Sequence, residues 1–222
     1  YALPPANRRP KRKNQVICIT RQSKGSGHKG AEVLEKLVDW LPRDYTLVCI
    51  GGLTPAFEAE LAARAAARDV VLNCQRGLSD PEKFELIAAS RLMVFASGFE
   101  GFGLPPVEAA SVGTPVLATH LDVIEETLGF GAVRFVPQGD DVALRHALDD
   151  MLAPPTPTEH DAHVTAEVLR RYSFAAYQNR LAHVLKSLHR APPRLLDGAE
   201  MRVIQAANPV WARLLRLARK LV

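Results

Sequence analysis

Residues 92–115, LMVFASGFEGFGLPPVEAASVGTP, contain a complete strand, loop and helix unit. The uncharged run 92–96 is typical of a strand that is buried on both faces of a parallel sheet. The three glycines in 98–103 let the backbone turn tightly and approach a ligand closely. The two prolines that follow predict the first turn of a helix, and Gly113 with Pro115 predict its end. The unit therefore predicts a helix N-terminus, a ready site for an oxyanion, beside the carboxyl end of a buried strand.

The same alternation of strand and helix extends outward from this unit. Short runs rich in β-forming residues predict strands at 15–20, 46–50, 70–73, 92–96, 115–119 and 133–136. Helical patterns between and after them predict helices at 30–41, 55–68, 81–89, 105–112, 123–128, 141–152 and 163–188. Such alternation predicts an α/β fold, a Rossmann-like doubly wound parallel sheet. In such sheets ligands bind beyond the carboxyl ends of the strands.

Length and composition indicate one main domain with two extensions. The chain has 222 residues, of which 47% are hydrophobic and 23% charged, as in ordinary globular proteins. No run approaches the roughly 18 apolar residues that a membrane span needs. We expect a linker at 1–14, the Rossmann-like domain at 15–190 and a C-terminal extension at 191–222. The three cysteines, each in a strand-like run, favour buried thiols in a reduced, cytoplasmic compartment.

The basic residues are concentrated at the two ends of the chain. The net charge is +4, but residues 1–13 hold five basic groups and no acid, and residues 191–222 hold six basic groups against two acids. Residues 14–190 are left with 17 basic and 22 acidic groups. A nucleic-acid-binding domain would carry its basic stripe on the folded body, so we expect no nucleic-acid partner.

Two carboxylates flank the predicted helix N-terminus. Glu100 lies in the glycine loop and Glu108 follows in the helix, so a strand–loop–helix reversal can bring both to one cleft, where they could accept hydrogen bonds from sugar hydroxyls. The alternative is that Glu100 is solvated and Glu108 only complements the helix dipole. The text from Glu100 to Glu108, EGFGLPPVE, and onward through Val116 resembles the Glu-x7-Glu signature of glycosyltransferase family 4, the retaining enzymes of the GT-B fold.

The resemblance implies a role for each matching residue and covers about residues 15–188. It places Glu108 on the ribose of a nucleotide sugar and Glu100 beside the transferred sugar. It also implies backbone contacts to the sugar and diphosphate from the glycine loop, at Gly101, Phe102, Gly103 and Leu104. The glycine turn at Gly51 and the segment ending at Leu78 resemble the family's contacts near the nucleotide.

A second element follows the first predicted strand, in TRQSKGSGHKG at residues 20–30. It resembles the family's strand-end arginine followed by Lys-Gly, which implies that Arg21 and Lys29 act in catalysis by neutralising the diphosphate as it leaves. The interval between the two is longer than is usual in the family, so Lys24 is an alternative to Lys29.

Several neighbouring residues have simpler interpretations. Ser79 with Glu82 three residues later predicts a helix-capping box. Glu125 and Glu126 are interpreted as helix-turn residues, although the family often has a glutamate here. His120 is interpreted as an ordinary loop residue, and the alternative is that it lines the mouth of the cleft.

The sequence thus predicts the donor-binding domain of a retaining hexosyltransferase of polysaccharide biosynthesis. It would use a UDP- or GDP-sugar, a glycan or lipid-linked acceptor, no cofactor and no metal, and a preceding acceptor domain of the same protein. Alternatives are a non-catalytic nucleotide-sugar-binding module, or another GT-B enzyme such as a sugar-nucleotide epimerase. Without the acceptor domain we expect no turnover.

The last segment, 208–222, has apolar residues at helical spacing among basic ones and no acid. It predicts an amphipathic helix that packs on another part of a larger protein, contacts an anionic membrane surface at the inner face, or leads to a further domain.

Overall fold

A computed structural model describes residues 12–20, 31–153 and 159–190. Its six strands are β1 (Gln15–Ile19), β2 (Thr46–Ile50), β3 (Val71–Gln75), β4 (Leu92–Phe95), β5 (Val116–Thr119) and β6 (Val133–Val136). Its helices are α1 (Ala31–Trp40), α2 (Pro55–Ala67), α3 (Asp80–Ala89), α4 (Leu104–Ser111), α5 (Asp122–Leu128), α6 (Asp141–Leu152), α7 (Glu159–Tyr172) and α8 (Phe174–Arg190).

The strands form one parallel sheet in the order β3-β2-β1-β4-β5-β6. This is the doubly wound Rossmann-like order, and it confirms the predicted fold class. Because the chain crosses from β3 at one edge back to β4 beside β1, the order reverses between β1 and β4. Ligands of open α/β sheets bind at this switch point, beyond the carboxyl ends of the two strands.

Alternate strand residues point to opposite faces and build two cores. On one face, Val16 and its neighbours in the sheet pack with apolar residues of α1, α2 and α6, such as Leu37 and Leu148. On the other, Ile17 packs with residues of α3, α4, α5 and α7, such as Ile87. All five of these side chains are essentially buried, which is why the strands read as continuous apolar runs.

Capping side chains position the helices that follow the strands. Thr54 accepts the backbone N–H of Phe57 at 3.3 Å at the start of α2. The predicted capping box is confirmed, since the Glu82 carboxylate accepts the backbone N–H of Ser79 at 2.8 Å and its hydroxyl at 2.6 Å. These bonds fix where α2 and α3 begin, and therefore where the loops beyond β2 and β3 can lie.

The prediction of one long helix over 163–188 is wrong, because the structure has α7 and α8 with a break at Ser173. The Ser173 hydroxyl accepts a hydrogen bond from the backbone N–H of Ala176 at 3.2 Å, so this serine starts a new helix.

The chain divides into two compact units between Tyr177 and Gln178, and the sheet lies in the first unit. In the ranges that the structure describes, no helix has the length and apolar character to cross a bilayer.

Candidate functional site

A cavity of about 560 Å³ opens at the switch point of the sheet. The ends of β1, β2 and β4, with the first turn of α4, form its walls, and Thr20 and Ser97 lie where β1 and β4 end. A cavity of this size can take up a large part of a nucleotide sugar. Among the residues that the structure describes, no group of three or more metal-ligating side chains gathers.

The glycine loop ends at Gly103, which is the N-cap of α4 and has a left-handed backbone with a φ of 82°. A Cβ at this position would also overlap the buried Ile124 side chain, so glycine is required on two counts. Gly103 and Leu104 both line the cavity. The start of α4 is therefore adjacent to the cavity, and because Pro105 and Pro106 have no N–H, the N–H groups of Gly103 and Leu104 and the positive dipole end are what can stabilise an anion there.

Glu108 is a buried carboxylate on the cavity wall. It is 4% exposed, and its Oε1 accepts a hydrogen bond from the Lys83 ammonium at 2.9 Å. Lys83 extends from α3, lines the same cavity and also lies 3.2 Å from the Asp80 carboxylate. The pair supplies an acceptor and a cation side by side at the cavity wall, which suits a ligand that has both hydroxyl and phosphate groups.

Glu100 lines the same cavity and is half-buried. Its Oε1 accepts the Ser97 hydroxyl at 2.9 Å. The carbonyl of Ser97 in turn accepts a hydrogen bond from the buried Thr119 hydroxyl at 2.9 Å, and this bond connects the loop to β5. The structure therefore brings Glu100 and Glu108 to one cavity and holds Glu100 by a hydrogen bond from its own loop.

Gly51, immediately after β2, also lines the cavity. Its φ of 136° and its close approach to the Thr20 carbonyl leave no room for a Cβ, and its N–H donates to the Gln75 carbonyl at 3.0 Å. Phe102 lines the cavity as well, and its ring contacts Tyr172 edge-on with a centroid distance of 5.6 Å. Both residues belong to the set that the family resemblance implied.

Other predicted residues lie elsewhere. Gly101 is exposed and is not among the residues that line the cavity. Leu78 is half-buried and packs against the core on the α3–α4 side of the sheet instead. Arg21 and Lys29, with the alternative Lys24, lie outside the described residues.

Neither His120 nor Cys18 has an evident chemical role at this site. His120 is exposed, its Nε2 lies 2.7 Å from the Glu125 carboxylate, and it does not line the cavity, as its interpretation as a loop residue predicted. Cys18 does line the cavity, but burial raises the pKa of its thiol to about 12, so it is protonated at neutral pH and a poor nucleophile.

Lys83 is the residue that sequence reasoning missed. In sequence it is one of several charged residues in the first turns of α3, and it lies 25 positions before Glu108. Only the packing of α3 beside α4 brings the two together. A usable signal would have been the apolar stretch that holds Glu108, because a carboxylate buried there needs a cation or several donors nearby.

The fold and the cavity define a Rossmann-like domain with a cleft at its switch point that holds two carboxylates and a lysine. A family model, glycosyl transferases group 1, matches residues 2–167, and the chain therefore belongs to this family of GT-B-type glycosyltransferases.

Curated relatives include mannosyltransferases. The chain is 36% identical over 92 residues to the phosphatidyl-myo-inositol mannosyltransferase of Mycobacterium leprae, covering 41% of this chain and 25% of that protein. It is 33% identical over 121 residues to the MMP alpha-(1->4)-mannosyltransferase of Mycolicibacterium hassiacum, covering 53% of this chain and 28% of that protein. The chain thus spans about a quarter of the length of these relatives.

Solved structures share the fold. A glycosyltransferase of Rickettsia africae superposes with a TM-score of 0.67 at 19% identity, over 82% of this chain and 50% of that one. The Anabaena protein HepE, solved in complex with UDP and glucose, superposes with a TM-score of 0.63 at 20% identity, over 79% of this chain and 48% of that one.

Proposed function

We propose that this chain is the donor-binding domain of a retaining hexosyltransferase that uses a UDP- or GDP-sugar. The observation that carries the proposal is the common cavity of Glu100, Glu108 and the N-terminus of α4, at the switch point of the sheet. Membership of the group 1 glycosyl transferases supplies the reaction class. The resemblance to a Glu-x7-Glu signature supports the retaining outcome.

Each part of the cavity has a distinct task in this proposal. Glu108 accepts the ribose hydroxyls, Glu100 contacts the transferred sugar, and the N–H groups at Gly103 and Leu104 hold phosphate oxygens. Arg21 and Lys29 stabilise the diphosphate as its bond to the sugar breaks, because cations that face a developing charge lower the barrier. We expect no metal or cofactor to be needed.

The acceptor belongs to a second domain. We propose that this domain binds a glycan or lipid-linked acceptor, and the mannosyltransferases among the relatives make mannose the first sugar to test. Positioning an acceptor and excluding water need both walls of a cleft, so residues 1–222 alone are expected to bind donor without acceptor-dependent transfer. We place the activity in the cytoplasm, where thiols stay reduced. Residues 208–222 would provide the contact if the protein also binds the inner face of the membrane.

Isothermal titration calorimetry tests the proposal with UDP, GDP, ADP and their sugars. We expect one base to be preferred, and Glu108→Gln to weaken binding about tenfold or more. A hydrogen bond to a charged group contributes about 1.5–3 kcal/mol, and 1.4 kcal/mol is about tenfold in affinity. Arg21→Ala is expected to weaken binding further.

The matched control is Glu85→Gln, since Glu85 is an exposed carboxylate on α3 that does not line the cavity. Its affinity should equal that of the unaltered chain. No binding of any nucleoside diphosphate, or equal affinity in the Glu108 and Glu85 variants, would contradict the proposal. Conversion of the donor without an acceptor would indicate an epimerase instead.

A further inference from the structure

Three cysteines stand in one row across three adjacent strands. Cys18 of β1 is the register partner of Cys49 of β2, and Cys49 is the register partner of Cys74 of β3. All three side chains face the same core, on the α1–α2 side of the sheet. Cys18 also lines the cavity of Glu100 and Glu108, whereas Cys49 and Cys74 are not among its lining residues, and all three thiols are free.

Cys49 and Cys74 form the closer pair. Neighbouring strands are about 4.7–4.9 Å apart, which lies within the roughly 4.4–6.8 Å between Cα atoms that a disulfide spans. The neighbouring Cys49 thiol lowers the pKa of Cys74 below its usual value, because it can donate a hydrogen bond to the Cys74 sulfur. The same bond and burial raise the pKa of Cys49. Of the two thiols, Cys74 therefore loses its proton more readily and has the greater thiolate character.

Access also distinguishes the two cysteines. Cys18 and Cys49 are buried, whereas Cys74 is only half-buried. Cys74 lies on β3, which pairs with β2 alone in the part of the chain that the structure describes and is an edge strand there. A small shift of β3 toward β2 therefore disturbs no further strand. Closing a Cys18–Cys49 link would instead strain the centre of the sheet.

We propose that Cys49 and Cys74 form an oxidative modification site, in which a hydroperoxide converts the two thiols into a disulfide between β2 and β3. The Cys74 thiolate attacks one peroxide oxygen, the O–O bond breaks, and water or an alcohol leaves with a proton, giving a sulfenic acid on Cys74. The Cys49 sulfur then attacks the Cys74 sulfur, the S–S bond forms, the S–O bond breaks, and water leaves with the Cys49 proton. Two thiols are oxidised by two electrons and one peroxide is reduced.

The sequence makes this pairing simple to measure, because trypsin separates the three cysteines. Cys18 falls in peptide 14–21, Cys49 in 44–64 and Cys74 in 69–76. The folded 222-residue chain is treated with hydrogen peroxide, alkylated and digested without reduction. We expect free thiols to fall from three to one, peptide 44–64 to be linked to 69–76, and dithiothreitol to restore all three.

Three variants assign the roles. Cys49→Ser should leave a sulfenic acid on Cys74 that dimedone traps on peptide 69–76. Cys74→Ser should keep both remaining thiols, and the matched control Cys18→Ser should form the link as before. Circular dichroism establishes that each variant is folded, and the unaltered chain tests the pairing without any substitution.

Three results would overturn the proposal. A free-thiol count that stays at three after peroxide treatment would show that no disulfide forms. A link that includes peptide 14–21 in the folded chain would show that the register pair is not selective. A dimedone adduct on Cys49 or Cys18 in place of Cys74 would show that Cys74 is not the thiol that attacks the peroxide.

Discussion

Replacing Lys83 with methionine tests the buried ion pair at the cavity wall. The change removes the ammonium 2.9 Å from the Glu108 carboxylate and keeps an apolar stem of similar length. The two side chains are 18% and 6% exposed, so the carboxylate stays out of water when its cation is lost. Breaking a fully buried pair costs about 3–5 kcal/mol, and breaking an exposed pair about 0–1 kcal/mol. We expect Lys83→Met to lower the free energy of unfolding by about 2–3 kcal/mol.

Urea denaturation followed by circular dichroism measures this loss, and an unchanged slope against urea makes the values comparable. The matched control is Lys36→Met, which removes an ion pair with Asp141 whose N–O distance is 2.6 Å and whose side chains are 36% and 49% exposed. We expect the control to lose less than about 1 kcal/mol. The double variant Lys83→Met with Glu108→Gln should lose less than the two single variants added together, because they share one interaction. Equal small losses for the Lys83 and Lys36 variants would refute the reasoning.

Two further predictions concern the α4 N-cap and α7. Gly103→Ala should lower the free energy of unfolding by about 1–3 kcal/mol more than Gly77→Ala, because both glycines have positive φ but only the first would overlap a buried side chain; equal losses in urea would contradict this. Hydrogen bonds from Arg170 and Arg171 hold the pKa of Glu167 at about 2, below its ordinary 4.5. This depressed pKa contributes stability that is present above 4.5 and lost as the pH falls through about 2. Arg170→Gln should raise the pKa of the Glu167 carboxyl, which an NMR titration measures. A Glu167 pKa near 4.5 in the unaltered chain would contradict its pairing with the two arginines.

Local signals were sufficient for most of the fold. The strands over 46–50 and 133–136 and the helix over 141–152 have the predicted bounds, because apolar runs and helical spacing fix them within a short stretch of chain. The break at Ser173 was missed, since no glycine or proline marks it and its capping bond depends on a backbone geometry that spacing does not reveal.

The site divides in the same way. Glu100 and Glu108 lie in one ordered motif, so the sequence could point to a shared cleft, and the structure places both on one cavity. The Lys83 partner of Glu108 depends on how α3 packs beside α4, which no local pattern encodes. The alignment of Cys49 with Cys74 likewise depends on the register between strands, and the strand predicted over 70–73 ended one residue before Cys74, which lies in β3.

Amide chemical shifts measured during a titration with UDP or GDP test most directly whether this cavity is the donor site. The proposal predicts saturable shifts at Gly51, Gly103 and Leu104, which line the cavity, and the loss of these shifts or a weaker affinity in Glu108→Gln. Shifts confined to the smaller cavity near Gly139 and Asp141, or no shifts with any nucleoside diphosphate, would contradict it.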